Sequence, residues 1–209
     1  MKKYRLDLLY RNSLLPETAK QTKKLFIDAD GTDLTQFQQL AQLENSIVDF
    51  VKAGHNLYLH SYICGNGKTS WAIRLLTAYI NRIWPKSNLG CQALYVEVSK
   101  YLQGLKNKIS GINDPEVDFI SQNIMEADLV VWDDIATKGG TEFELNHLLN
   151  IINTRVMNHK SNIFTTNLGK QEILKALGER LTSRICNNSI DIELHGTDKR
   201  PIEYIGGEN

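Results

Sequence analysis

The chain has 209 residues, 42% of them hydrophobic and 23% charged, with 24 Lys plus Arg balancing 24 Asp plus Glu. That length suits one α/β domain with a short appendage, and the zero balance excludes a global basic field that would gather nucleic acid. Three scattered cysteines (Cys64, Cys91, Cys186) form no C-x-x-C pair, so neither a zinc ribbon nor a disulfide framework is indicated, which fits a reducing cytoplasm.

Charge is uneven at the start of the chain. Residues 1–24 carry Lys2, Lys3, Arg5, Arg11, Lys20, Lys23 and Lys24 against Asp7 and Glu17, which leaves the remainder at net −5. Arg5, Asp7 and Arg11 interrupt any secretory core, and no apolar run reaches the ~18 residues that span a bilayer. The expectation is a cytoplasmic protein with no membrane partner. Residues 1–33 read as a basic N-terminal arm, either solvated and partly disordered or docked on an acidic partner or a phosphate backbone.

Residues 34–56 read as an amphipathic helix with its linker. Leu34, Phe37, Leu40, Leu43, Ile47, Phe50 and Val51 recur at spacings of three and four, and Gly54 marks the stop. The core is expected over 57–196, followed by a tail at 197–209. It opens with a strand, Leu57 to His60, that runs into a glycine-rich turn. A helix from Lys68 ends at Ile83, before Pro85. A strand at 93–98, two helices over 99–127 split near Gly111 and Pro115, and an apolar strand from Leu129 to Trp132 come next. A helix over 141–159, a strand at 163–166, helical segments over 169–187 and a strand at 190–194 complete the order. Strands alternating with helices predict an α/β fold whose five-stranded parallel sheet is flanked by helices.

The turn between the first strand and its helix carries the first chemistry. Glycine N–H groups that leave a strand and enter a helix hold phosphate. Gly65 and Gly67 flank Asn66, Lys68 would reach the terminal phosphates of ATP, and Thr69 would place its hydroxyl on Mg²⁺. Gly65, Asn66, Gly67, Lys68, Thr69 and Ser70 form the candidate nucleotide cradle. The usual G-x-x-x-x-G-K-[ST] pattern is broken once, by Tyr62 at the first glycine position. Taken alone, the loop could also be a plain strand–turn–helix junction.

Sixty-five residues beyond Lys68, the apolar run 129–132 delivers Asp133 and Asp134 to the carboxyl end of a strand, where open α/β sheets bind ligands. Asp133 is assigned to Mg²⁺, Asp134 to deprotonating the attacking water. As an aspartate, Asp134 is one methylene short of the usual glutamate, so slow hydrolysis is expected, and a nucleotide switch that hardly turns over stays open. Thr165-Thr166-Asn167 ends the fourth strand and offers the Asn167 amide to the γ-phosphate or the lytic water. Arg180 and Arg184, four apart, share a helical face. They either meet solvent and Glu179 or serve as an arginine finger for a neighbouring subunit, Arg184 ahead of Arg180. A small-molecule kinase on the same loop fits the aspartate pair, Asn167 and Arg184 less well.

Gly65 to Thr69, Val130 to Ile135, Thr165 to Asn167 and Glu179 to Arg184, in this order, resemble the bacterial replicative helicase loaders of the DnaC/DnaI type. The likeness extends to their phage-borne versions and to the related IstB transposition helper ATPases, over roughly residues 34–196. The resemblance implies an AAA+ ATPase using ATP and Mg²⁺, without a C-terminal lid domain, since 15 residues follow Leu194. It implies as partners a hexameric replicative helicase, single-stranded DNA, and a second copy sharing the ATP site; a transposase on duplex DNA is the alternative. Such loaders usually grip the helicase with a larger N-terminal domain, so residues 1–50 would dock by a reduced surface. The insertion at 99–127 is similar to the extra helix by which loaders and initiators contact single-stranded DNA. Lys100, Lys106 and Lys108 would there meet phosphates, or form a solvated helix face.

Overall fold

Successive side chains along a strand point to opposite faces of a sheet, and the core of this protein divides accordingly. The computed structural model describes residues 2–16, 25, 27–136, 140–187 and 189–199. Its elements are α1 (Lys2–Asn12), α2 (Leu34–Asn45), α3 (Ile47–Lys52), β1 (Asn56–His60), α4 (Lys68–Ile83), β2 (Ala93–Glu97), α5 (Val98–Ile109), α6 (Pro115–Asn123), β3 (Leu129–Asp133), α7 (Glu142–Met157), β4 (Ser161–Thr166), α8 (Lys170–Cys186) and β5 (Ser189–Glu193). The strands pair in parallel in the order β2-β3-β4-β1-β5. Leu57, Leu59, Tyr95, Val131 and Ile163 pack with α1 to α4 on one face. Tyr58, Leu94, Val96, Val130, Trp132 and Phe164 pack with α5 to α8 on the other. Strands buried on both faces are the mark of a helix-covered parallel sheet.

Two N-terminal elements differ from the expectation. The helix read over 34–53 is two helices, broken at Ser46 (φ −103°, ψ 16°). The Ser46 hydroxyl donates to Gln42 O at 3.1 Å, a side-chain bond to the preceding turn that loosens a helix. Over its described part, the basic segment is also not a solvated arm. Residues 2–12 are helical; Leu9 is buried in the core, and Leu6 and Tyr10 pack against it. Arg5 donates to Ser87 O at 2.8 Å, Tyr10 to Asn81 Oδ1 at 2.8 Å, and Tyr95 N to Ser13 O at 2.8 Å. The last bond covers part of the open edge of β2. Lys20, Lys23 and Lys24, like residues 200–209 of the expected tail, lie outside the described residues.

Arg155 on α7 is fully buried and joins three segments. Its Nε donates to Asn162 Oδ1 at 2.8 Å, Nη1 to the carbonyls of Ile124 and Ala127 at 2.6 and 2.8 Å, and Nη2 to Ser161 O at 2.7 Å. Burial pushes its pKa down to about 9. Asn162 Oδ1 also accepts from the Trp132 indole at 3.0 Å. The guanidinium therefore sets α7 and the turn before β3 against β4. α8 is kinked at Gly178, whose φ of 75° and ψ of 168° lie outside helical space. No helix among the described residues is long and apolar enough to cross a membrane.

Candidate nucleotide-binding site

Residues 61–67 connect β1 to α4. Gly65 and Gly67 take φ values of 74° and 111°, conformations that cost a side-chain-bearing residue energy. The loop is held from within. Asn66 is fully buried, and its Nδ2 donates to Ser61 Oγ at 2.6 Å and Leu194 O at 3.3 Å. Lys68, also buried, donates from Nζ to Ile63 O at 2.9 Å and Asn66 Oδ1 at 3.3 Å. The first N–H groups of α4 have no intrahelical acceptor, and its dipole adds positive potential there. An ammonium, backbone amides and a helix N-terminus together make a seat for phosphate.

The carboxyl end of β3 adjoins this seat. Asp133 Oδ1 accepts from Thr69 Oγ1 at 2.9 Å and Thr165 Oγ1 at 2.6 Å, and Oδ2 accepts from Tyr95 OH at 2.6 Å. Asp134 sits in the left-handed region at φ 56°. Its backbone N donates to Thr165 Oγ1 at 3.0 Å, and Asn167 Nδ2 donates to its Oδ1 at 3.2 Å. Burial, and then the charge of Asp133, raise the Asp134 pKa, while Lys68 opposes the shift. Burial and Asp133 likewise hold the Tyr95 phenol protonated. A hydroxyl and a carboxylate 2.9 Å apart are hard oxygen donors, the type Mg²⁺ accepts beside phosphate, so Thr69 and Asp133 fit that ion.

Residues far apart in the chain are thus brought into one site: the loop, Thr69, Asp133, Asp134 and Asn167. Tyr95 and Ser61 belong to it but carry no sequence signal, since one reads as a strand core aromatic and the other as a turn residue. Arg180 and Arg184 are exposed on α8 and make no hydrogen bond or ion pair among the described residues. The three lysines of α5 are all paired within the chain: Lys100 with Glu116 at 2.7 Å, Lys106 with Glu144 at 2.9 Å, and Lys108 with Asp118.

The IstB-like ATP binding protein family matches residues 2–199. The chain belongs to that family. This IstB-like protein is a P-loop ATPase of the AAA+ type. Among solved structures it is similar to the DnaC helicase loader, with a TM-score of 0.62 and 20% identity over 77% of this chain and 90% of that one. It is also similar to DnaI, with a TM-score of 0.65 and 19% identity over 90% of this chain and 95% of that one. A third is the replication initiator DnaA bound to AMPPCP and single-stranded DNA, with a TM-score of 0.65 and 15% identity over 87% of this chain and 51% of that one. At such identities the likeness establishes the fold. A comparison of the IstB-like chain with curated proteins returns no match.

Proposed function

We propose that this ATPase loads a ring-shaped replicative helicase onto single-stranded DNA during replication initiation. The observation that carries the reading is the fold shared with DnaI over 95% of that chain, and the loop from Gly65 to Thr69 with Asp133 beside it supports it. ATP and single-stranded DNA promote assembly with the ring, and hydrolysis releases it.

In the chemistry proposed, magnesium-bound ATP supplies the scissile phosphoanhydride and the neutralising charge. Gly65, Asn66, Gly67 and Ser70 line the phosphate cradle, Lys68 offsets phosphate charge, and Thr69 and Asp133 would hold the cation. Asp134 accepts a proton from the attacking water, which Asn167 orients. Its raised pKa makes Asp134 a stronger proton acceptor than a free aspartate, while its short side chain keeps turnover slow. Arg184, with Arg180 beside it, acts on the site of a second copy; their exposure and lack of partners support that role. Hydrolysis is therefore stimulated by self-association, and by DNA or the helicase.

Family membership favours one second reading, a transposition helper that acts with a transposase on duplex DNA. The mass of the mixture of this chain with the host replicative helicase, with and without ATP and single-stranded DNA, separates the two. A stoichiometric, ATP-dependent complex is expected for the loader. No complex, with ATP binding intact, overturns the loader reading in favour of the helper.

A further inference from the structure

The segment that leaves β5 runs back past the phosphate loop. Lys199 N donates to Gly65 O at 3.0 Å, and Leu194 O accepts from Asn66 Nδ2 at 3.3 Å. Asn66 in turn accepts from Lys68 Nζ at 3.3 Å through Oδ1. Two carboxylates hold this segment. Asp33 Oδ1 accepts from His195 N at 2.8 Å, and its Oδ2 from Gly196 N at 2.7 Å. Asp28 Oδ2 accepts from Thr197 N at 2.8 Å, and its Oδ1 from Thr197 Oγ1 at 2.9 Å and Lys199 Nζ at 2.7 Å. Three successive N–H groups thus end on two aspartates 162 to 169 residues away in sequence.

Asp33 makes this contact in place of a simpler one. It is the N-cap residue of α2, where an aspartate ordinarily accepts from the helix's own first N–H groups; here its side chain makes no cap bond. Its φ of 68° lies in the left-handed region, which costs a residue other than glycine energy. The carboxylate is nonetheless buried and doubly bonded to the segment. We infer that Asp33, with Asp28 beside it, is a positioning residue for ATP: through residues 194–199 it sets Gly65 and Asn66, and with them the Lys68 ammonium, before nucleotide arrives. A loop already in its binding conformation has less freedom to lose when phosphate binds. The inference rests on the phosphate-seat reading of Gly65 to Lys68. Gly196 fits the same role, since a Cβ there would lie 2.8 Å from an oxygen of each aspartate and force the segment and its two holders apart.

The test follows binding of mant-labelled ATP to the full chain, and its melting with and without ATP, for Asp33→Asn, Asp28→Asn, Gly196→Ala, Asp30→Asn and Lys68→Ala. Asp33→Asn turns an amide N–H onto a backbone N–H, and both it and Gly196→Ala are expected to weaken nucleotide binding about ten-fold. KM for ATP should rise accordingly, with kcat at saturating ATP changed less than KM. The rise in melting temperature that ATP gives the parent should shrink in the same two variants. Asp30 accepts from Thr32 N at 2.9 Å within its own turn, so Asp30→Asn keeps wild-type affinity. A lowered melting temperature without ATP, combined with unchanged nucleotide affinity, makes the contact purely structural and overturns the inference. If Asp33→Asn does not fold, Asp28→Asn decides: a loss of about three-fold or more upholds the inference, and wild-type affinity overturns it. Wild-type affinity in Lys68→Ala overturns the phosphate-seat reading and this inference with it. A loss in Lys68→Ala alone overturns only the inference.

Discussion

The hydroxyl of Tyr62 occupies the space that a Cβ on Gly169 would need. Tyr62 stands where the phosphate-loop pattern normally has glycine, and its hydroxyl also bonds Glu172 on α8, which raises the phenol's pKa. The phosphate loop is thereby joined to the helix that carries Arg180 and Arg184. Gly169→Ala and Tyr62→Phe are each expected to lower stability slightly, because each disturbs the contact between the loop and the start of α8. Because both remove the same contact, the double variant should cost less than the sum of the two, as read by urea denaturation in a double-mutant cycle. Strict additivity would show that the contact carries no energy.

Lys68→Ala removes the ammonium from the loop. ATP affinity, followed by a fluorescent nucleotide, should fall at least 100-fold while the sheet stays folded by circular dichroism. Arg184→Ala should keep ATP affinity and lose hydrolysis. Mixing the two variants should restore part of the activity, since a Lys68→Ala subunit can lend its arginine to an intact loop on an Arg184→Ala subunit. No recovery in the mixture would place Arg184 outside a shared site.

Asp134 titrates above its ordinary value of about 3.9. The acid limb of the rate profile should therefore lie above pH 4, and Asp134→Asn should lower the rate about 10²–10⁴-fold with ATP binding retained. The same shift has a consequence for stability. A carboxyl whose folded pKa is raised binds its proton more tightly when folded, so stability falls as pH rises from the unfolded value through the folded one. Above its folded value the ionised Asp134 opposes folding, and there Asp134→Asn is expected to melt higher than the parent. Asparagine also tolerates the positive φ there. The gain should vanish below about pH 4; a gain that persists there would point to another cause.

Arg155→Met leaves the carbonyls of Ile124, Ala127 and Ser161 without their donor. The expected loss is about 3–5 kcal/mol, or roughly 6–20 °C in melting temperature by calorimetry. Arg155→Lys should not recover it, because a single ammonium cannot reproduce a planar fork with acceptors on three sides. A lysine variant as stable as the parent would show that charge, not fork geometry, is what the site needs.

Much of this site is legible in the chain itself. Gly65 to Thr69 is contiguous, and its glycines and lysine have one physical use together; Asp133 and Asp134 follow an apolar run too short and too apolar to be anything but a buried strand end. The five strands were readable for the same reason, since period and apolarity are local properties, whereas the break at Ser46 was not. The helix at residues 2–12 was not readable, because its weakly amphipathic face is stabilised by α4 and by Ser13 meeting the edge of β2, some eighty residues away in sequence. Nor were the partners of Lys100, Lys106 and Lys108, which belong to α6 and α7. The glycine–lysine loop and the alternation of strands with helices follow from neighbours in the chain, which is why the parallel α/β sheet could be read there. That Tyr95 and Thr165 hold Asp133, that Arg155 is buried, that Tyr62 meets Gly169, and which cations lack an ion pair among the described residues depend on contacts made only after the strands take their order.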